Sequence, residues 1–374
     1  MGLLEGDPEL PLPKEAKQGT IAAIRAGRTR YSSASGLPEL KAALSRRGVV
    51  GQVLVTNGAK QAIYEALQVL VGPGDTVLVP SPCWVTFPEA VKLAGAQPIL
   101  VPMPGGFLDV GRLAAAVRRD TRAVIINTPN NPTGAVYGKA ELLALAKFAA
   151  KKDLVVVSDE AYEALVYEGK HVSLASLGKE AARRTLTVGT FSKTYSMTGF
   201  RVGYLAGPPE LVEAASRIHG HVTGNVCTFA QLGALAALGV SAAALAARRD
   251  ALRRRRDLAY RLASRLFPCE KPRGGLFVFA DARRWLNSAR PDSAALARFL
   301  LARARVAVVP GSACGREGWL RFSFSGTEKA IREGFSRIEK GLMTEPKRGN
   351  GRPKGLSGPC RPGCVDRRGR RPRP

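Results

Sequence analysis

Histidine is scarce in this chain: three residues in 374, at positions 171, 219 and 221. No Gly-x-Ser-x-Gly turn accompanies them, so nothing supports a serine or cysteine hydrolase. The six cysteines, at 83, 227, 269, 314, 360 and 364, form no dense framework, and no secretory leader precedes them. That pattern predicts a reducing, cytoplasmic setting. Cys360 and Cys364 are spaced as metal ligands can be, but the surrounding tail has no histidine, and no metal site is expected. No run of 18 apolar residues occurs, so no membrane span is expected. The opening MGLLEG lacks the hydroxyl residue that myristoylation needs at position six. Acidic residues are also short: 30 Asp and Glu stand against 57 Lys and Arg, for a net charge of +27.

Hydrophobic residues make up 45% of the chain, and its length accommodates two domains with a large buried core. The end of the chain differs. Residues 345–374 hold ten Lys and Arg against Glu345 and Asp366, among many prolines and glycines. This composition predicts a disordered basic tail over 344–374. Removing the tail's +8 from the total of +27 leaves +19 on the body, with a cluster over 248–265. A nucleic-acid partner is one reading of that charge. No aromatic stacking platform is interleaved with the arginines. The adopted reading is an arginine-rich surface, with nucleic acid bound only non-specifically, through the tail.

Helices are predicted over 13–26 and 39–47. From residue 53, strands at 53–56, 76–80, 99–101, 123–127 and 154–158 alternate with helices at 61–71, 87–94, 110–117 and 139–151. Such alternation predicts βαβ units and a mostly parallel sheet. Helices at 209–219, 229–238 and 245–266 follow, the last with leucines on one face and arginines elsewhere. Beyond Gly274, strands at 276–280, 306–309 and 320–324 predict a smaller domain.

Chemistry-bearing residues gather where strands end, the usual place for sites in such sheets. Gly58, Ala59 and Lys60 open a helix whose free N–H groups suit an anion. Asn131 lies in an Asn-Asn-Pro-Thr-Gly sequence that also suits a tight turn. Asp159 closes the apolar run VVVS, where a carboxylate needs a partner, although an N-cap role is open to it as well. Lys193 lies in a small, hydroxyl-rich turn with Thr190 and Ser192, and Arg201 adds a fork suited to phosphate. Arg321 alternates with apolar residues in a strand, a position that is often merely exposed. The Gly72-Pro73-Gly74-Asp75 stretch lies after a helix and before a strand, the reverse of a dinucleotide fingerprint, and is not read as one.

The string Ser192-Lys193-x-x-x-Met197-Thr198-Gly199-x-Arg201 resembles the cofactor-lysine signature of class I aminotransferases. Three further stretches fall in that family's order: Tyr31 to Leu40, Asn131 to Gly134, and Asp159 to Tyr162. The resemblance covers most of residues 1–343 and is nearest to the bacterial aspartate aminotransferase branch. It implies an α/β fold type I transferase dependent on pyridoxal 5'-phosphate. A large cofactor-binding domain over 37–245 would carry a mostly parallel central sheet flanked by helices. A smaller α+β domain over 246–343 would be joined by the N-terminal segment 1–36.

The resemblance makes Lys193 the residue that carries the cofactor and shuttles protons. Asp159 would pair with the pyridine nitrogen, and Asn131 and Tyr162 would bond the phenolic oxygen. Trp84 would stack on the ring, while Cys83 stands where many relatives carry tyrosine. Gly58, Ala59, Lys60, Thr190, Ser192 and Arg201 surround the phosphate, joined by Tyr31 from the neighbouring subunit, which implies a homodimer. Gly6, Trp84, Asn131 and Arg321 would contact substrate, with Arg321 as the fork for its α-carboxylate. Fewer residues precede Gly6 than in the family, which implies a later start or a more open site. The implied activity moves an amino group from an L-amino acid, aspartate first, to 2-oxoglutarate by a ping-pong route. An aromatic or alanine aminotransferase, or a β-lyase, is the alternative on the same fold. A non-enzymatic nucleic-acid binder is the alternative of another class.

Overall fold

A computed structural model describes residues 2–344. The expected basic tail beyond Thr344, with Cys360 and Cys364, lies outside the described residues.

In chain order, helices α1 (Lys14–Arg25) and α2 (Pro38–Arg46) precede β1 (Gln52–Thr56) and α3 (Ala59–Leu70). Next come β2 (Thr76–Ser81), α4 (Thr86–Leu93), β3 (Gln97–Pro102), α5 (Val110–Ala116) and β4 (Thr121–Asn127). They are followed by α6 (Lys139–Lys152), β5 (Val155–Asp159), α7 (Lys179–Arg183), β6 (Thr185–Thr190) and β7 (Gly203–Gly207). Helices α8 (Pro209–Val222), α9 (Thr228–Ala237) and α10 (Ala242–Leu266) lead to β8 (Phe277–Asp281) and α11 (Ser293–Ala304). The chain then forms β9 (Val309–Pro310), β10 (Trp319–Ser323) and α12 (Glu328–Met343). No single described helix is long and apolar enough to cross a membrane.

The seven-stranded sheet has the order β1-β7-β6-β5-β4-β2-β3. Strand β7 runs antiparallel to both of its neighbours, and the other strands share one direction. Strands buried on both faces read as continuous apolar runs; every residue of β2 is buried, for example. Strand β7 is absent from the sequence expectation. Its GYLAG is fully buried with a glycine at each end, so it carries no alternation to read. Gly203 is required there, since a Cβ would stand 2.7 Å from the Gly58 carbonyl carbon.

The smaller, three-stranded sheet has the order β8-β10-β9. The expected strand over 306–309 shortens to Val309–Pro310, because Ala307 instead bridges Gly2. Leu252, Leu258 and Leu266 of α10 share its core with Leu3, Phe322 and Ile338. Leu3 also donates its N–H to Ala307 O and accepts from Ser323 N–H. Helix α1, by contrast, lies on α9, where a Cβ at Gly19 would meet the Ala236 Cβ at 2.4 Å. The N-terminal segment is therefore shared between the two layers.

Candidate active site

The C-terminal ends of β1, β2, β4, β5 and β6 open onto one cleft of about 350 Å³, with residues 5–6 and the Phe277–Arg321 face of the smaller sheet on its other side. These five strands deliver their chemistry at the same edge.

At the end of β1, Gly58 (φ 76°) precedes α3, and no side chain caps that helix. The guanidinium of Arg201 lies over this N-terminus: a Cβ on Gly58 would stand 2.6 Å from Arg201 Nη2. Arg201, itself left-handed at φ 55°, is steadied by bonds from Nη1 to Thr198 O (2.9 Å) and Nη2 to Asn57 O (3.3 Å). Thr190 Oγ1 accepts from Ser192 N–H at 3.2 Å and lies 3.0 Å from Ser192 Oγ. Together these groups form a positive, donor-rich corner suited to a phosphate.

At the end of β5, Asp159 is 3% exposed. Among the described residues its carboxylate has one hydrogen-bond donor, Ala161 N–H at 3.0 Å. Burial pushes it up to about 7, and the nearby Glu160 charge adds to this, against the Ala161 bond and Lys193. Lys193 follows β6, and its Nζ donates to Gly6 O at 2.7 Å. Burial lowers its pKa, as do Arg201 and Arg321, while Asp7 and Asp159 oppose the shift.

Arg321 enters from β10. It is 7% exposed, not the exposed strand arginine that alternation also allows. Its Nη1 donates to Asn131 Oδ1 at 2.9 Å and its Nη2 to Leu4 O at 2.8 Å. Its Nε has no partner among the described residues, and the guanidinium lies 4.1 Å from the centre of the Phe277 ring. An arginine fork buried with a donor unsatisfied is poised for a carboxylate.

Trp84, Ala59, Lys60, Tyr162 and Gly6 complete the wall, whereas Tyr31 does not line the cleft of its own chain and is 96% exposed. Asn127 and Phe277 also line the cleft, and neither is an expected site residue. Asn127 accepts from Asn131 N–H (2.7 Å) and donates to Asp159 O (3.0 Å), so it joins two site residues. Its place as the last residue of β4 is the signal that points to it. Asn130 serves the tight turn, accepting from Thr133 N–H and Oγ1–H, which leaves Asn131 to the cleft.

Pyridoxal phosphate fits this donor set. The phosphate corner lies at one end, and at the other a buried, under-bonded carboxylate would gain a counter-charge from a protonated ring nitrogen. A lysine amine with a lowered pKa shares the cleft with both.

The comparisons with known proteins agree. The chain matches the family described as aminotransferase class I and II over residues 1–338. A probable aspartate/prephenate aminotransferase of Aquifex aeolicus is 38% identical over 358 residues, covering 91% of each chain. An aspartate aminotransferase of Streptomyces avermitilis is 39% identical, covering 93% of this chain and 90% of that one. The structure of Thermus thermophilus aspartate aminotransferase with maleate superposes with a TM-score of 0.86 at 37% identity, covering 91% of each chain. An aromatic aminotransferase of Pyrococcus horikoshii gives 0.87 at 34% identity, covering 91% of this chain and 95% of that one. The chain belongs to the class I and II aminotransferases and is a pyridoxal-phosphate-dependent enzyme of that family.

Proposed function

We propose that the protein transfers the amino group of aspartate to 2-oxoglutarate, in two half-reactions at the cleft just described. The observation that carries this reading is the meeting of Lys193, Asp159 and Arg321 in one buried cleft.

When bound, pyridoxal phosphate supplies an electron sink for the charge left on a substrate α-carbon. Arg201, the N–H groups of Ala59 and Lys60, and the hydroxyls of Thr190 and Ser192 would hold its phosphate. Asp159 would keep a proton on the ring nitrogen, Asn131 and Tyr162 would hydrogen-bond the cofactor's phenolic oxygen, and Trp84 would pack against the ring. Lys193 is the attachment point and the general base. Its lowered pKa raises the neutral fraction of the amine near neutral pH, the form that accepts a proton from the α-carbon. Arg321 clamps the α-carboxylate through two parallel bonds and so orients that carbon. Gly6 closes over the substrate. A Cβ there would lie 2.6 Å from the Phe277 ring, so the backbone approaches as only glycine allows.

With Arg321, Arg201 and Lys193 so assigned, Lys60 is the remaining cation of the cleft wall. Its Nζ lies 5.2 Å from the Trp84 ring centre and makes no hydrogen bond or ion pair with a described residue. We assign it to the side-chain carboxylate of a dicarboxylic substrate. The named relatives and the maleate complex support the aspartate reading. The division into a large unit over 37–245 and a small unit over 246–343 with segment 1–36 belongs to this proposal, as does a homodimer in which the exposed Tyr31 reaches the partner's phosphate site.

A second reading, transfer from aromatic amino acids, is favoured by the Trp84, Tyr162 and Phe277 rings of the cleft and by the Pyrococcus relative. A panel of amino donors with 2-oxoglutarate as acceptor tests both. The proposal predicts a higher kcat/KM for aspartate than for phenylalanine or alanine, and loss of that preference in Lys60→Ala. A preference for phenylalanine that Lys60→Ala leaves unchanged would overturn it.

A further inference from the structure

We propose that Cys83 and Cys314 are a redox-active pair that closes to a reversible disulfide, tying the larger sheet to the smaller one beside the cleft. Cys83 stands in the turn between β2 and α4, and Cys314 in the turn between β9 and β10. They are 231 positions apart in sequence, counting from 83 to 314, yet the N–H of Cys83 donates to the carbonyl oxygen of Cys314 at 2.9 Å. N–Cα is about 1.46 Å and Cα to its carbonyl oxygen roughly 2.4 Å. With that contact, the two Cα atoms are at most about 6.8 Å apart, within the span of disulfides. The turns are pressed together on the next residue too, where a Cβ on Gly315 would lie 3.3 Å from the Ser81 Cβ.

Both cysteines are nearly sealed, at 2% and 0% exposure. Burial pushes Cys83 up to about 12 and Cys314 up to about 11, the latter against the pull of Arg321. Thiolate is the reacting form, so oxidation of the pair is slow and speeds up as pH rises.

With hydrogen peroxide as oxidant, one thiolate sulfur attacks an oxygen. The S–O bond forms, the O–O bond breaks, and hydroxide leaves and is protonated to water. The second thiolate then attacks the oxidised sulfur. The S–S bond forms, the S–O bond breaks, and a second hydroxide leaves and is protonated to water. Two thiols are oxidised by two electrons, and one peroxide is reduced to two waters. A dithiol reverses the step.

The bond would fix the distance between the turn that carries Trp84 and the turn that leads into Arg321, two walls of the cleft. Turnover of the oxidised holoenzyme should fall at least tenfold and return with dithiothreitol.

The test treats the full-length holoenzyme with hydrogen peroxide under native conditions, blocks free thiols, and maps peptides without reduction. The expected product is a linked pair of peptides bearing Cys83 and Cys314, two hydrogens lighter than the free thiols. It should form faster at pH 9 than at pH 7 and be absent in Cys83→Ser and Cys314→Ser. Those variants should keep turnover after peroxide, which separates this bond from oxidation at Cys227, Cys269 or the tail. Absence of the linked peptides from folded protein, or their formation only after denaturation, overturns the proposal. Equal loss of turnover in the serine variants, or a linked enzyme with full turnover, overturns the restraint on the cleft.

Discussion

Asp159 and Glu160 are neighbours at the end of β5, and each is 3% exposed, yet their surroundings differ. Glu160 Oε1 accepts from Ser158 Oγ (2.9 Å), Ser173 Oγ (3.1 Å) and Leu174 N–H (3.4 Å), and its Oε2 lies 3.0 Å from His171 Nε2. Asp159 has Ala161 N–H and otherwise the cleft. Ligand atoms of Glu160, Glu163 and His171 lie within 4.8 Å of one another, but protein donors already occupy those of Glu160. Burial alone therefore does not mark a reacting carboxylate. Burial with unmet hydrogen-bonding capacity turned toward the cleft does, as at Asp159.

The largest effect should come from the cleft side of this comparison. Lys193→Ala removes the attachment point and the base, and kcat should fall by at least about 10²–10⁴-fold; single-turnover kinetics with aspartate read it. Near-normal turnover would sink the assignment.

Arg321→Lys keeps the charge but not the fork. Binding of amino and oxo acids should weaken by about 1.5–3 kcal/mol, equally for aspartate, alanine and phenylalanine, because all carry an α-carboxylate. Isothermal titration with each acid would check this. A loss confined to acidic ligands would show that Arg321 reads the side chain.

Glu160→Gln tests the other side. It replaces an acceptor in a filled network, so stability to urea should drop by roughly 1–3 kcal/mol while kcat changes little. A large fall in kcat at full stability would place Glu160 with Asp159 and erase the contrast.

A further test is the pH dependence of cofactor-free protein. The folded carboxyl of Asp159 is raised from 3.8 to about 7. Below pH 4 it is protonated whether the chain is folded or not. Between pH 4 and 7 the unfolded group ionises while the folded one keeps its proton, so stability falls as pH rises through this window. Asp159→Asn should flatten that part of the thermal-midpoint profile, and an unaltered slope would show that burial of Asp159 is not the cause.

Much of the fold and the cleft is legible in the sequence. The strands ending at Asn127 and Asp159 are short apolar runs stopped by polar residues, a pattern that marks both the strand and its functional end. Alternation puts Arg321 on its own side of β10, but its burial depends on Asn131 and the backbone of Leu4, both remote in sequence. Strand β7 was hidden because a fully buried GYLAG has no period. Phe277 was hidden because a phenylalanine in a strand reads as core until its ring is seen under a guanidinium.

The most direct test of the account is to fix the cofactor in place. Protein loaded with pyridoxal phosphate is reduced with borohydride, digested, and its peptides are mapped by mass. The account predicts a phosphopyridoxyl group on the peptide that contains Lys193 and none on the peptide that contains Lys60. A label on Lys60, or none on either, would contradict it.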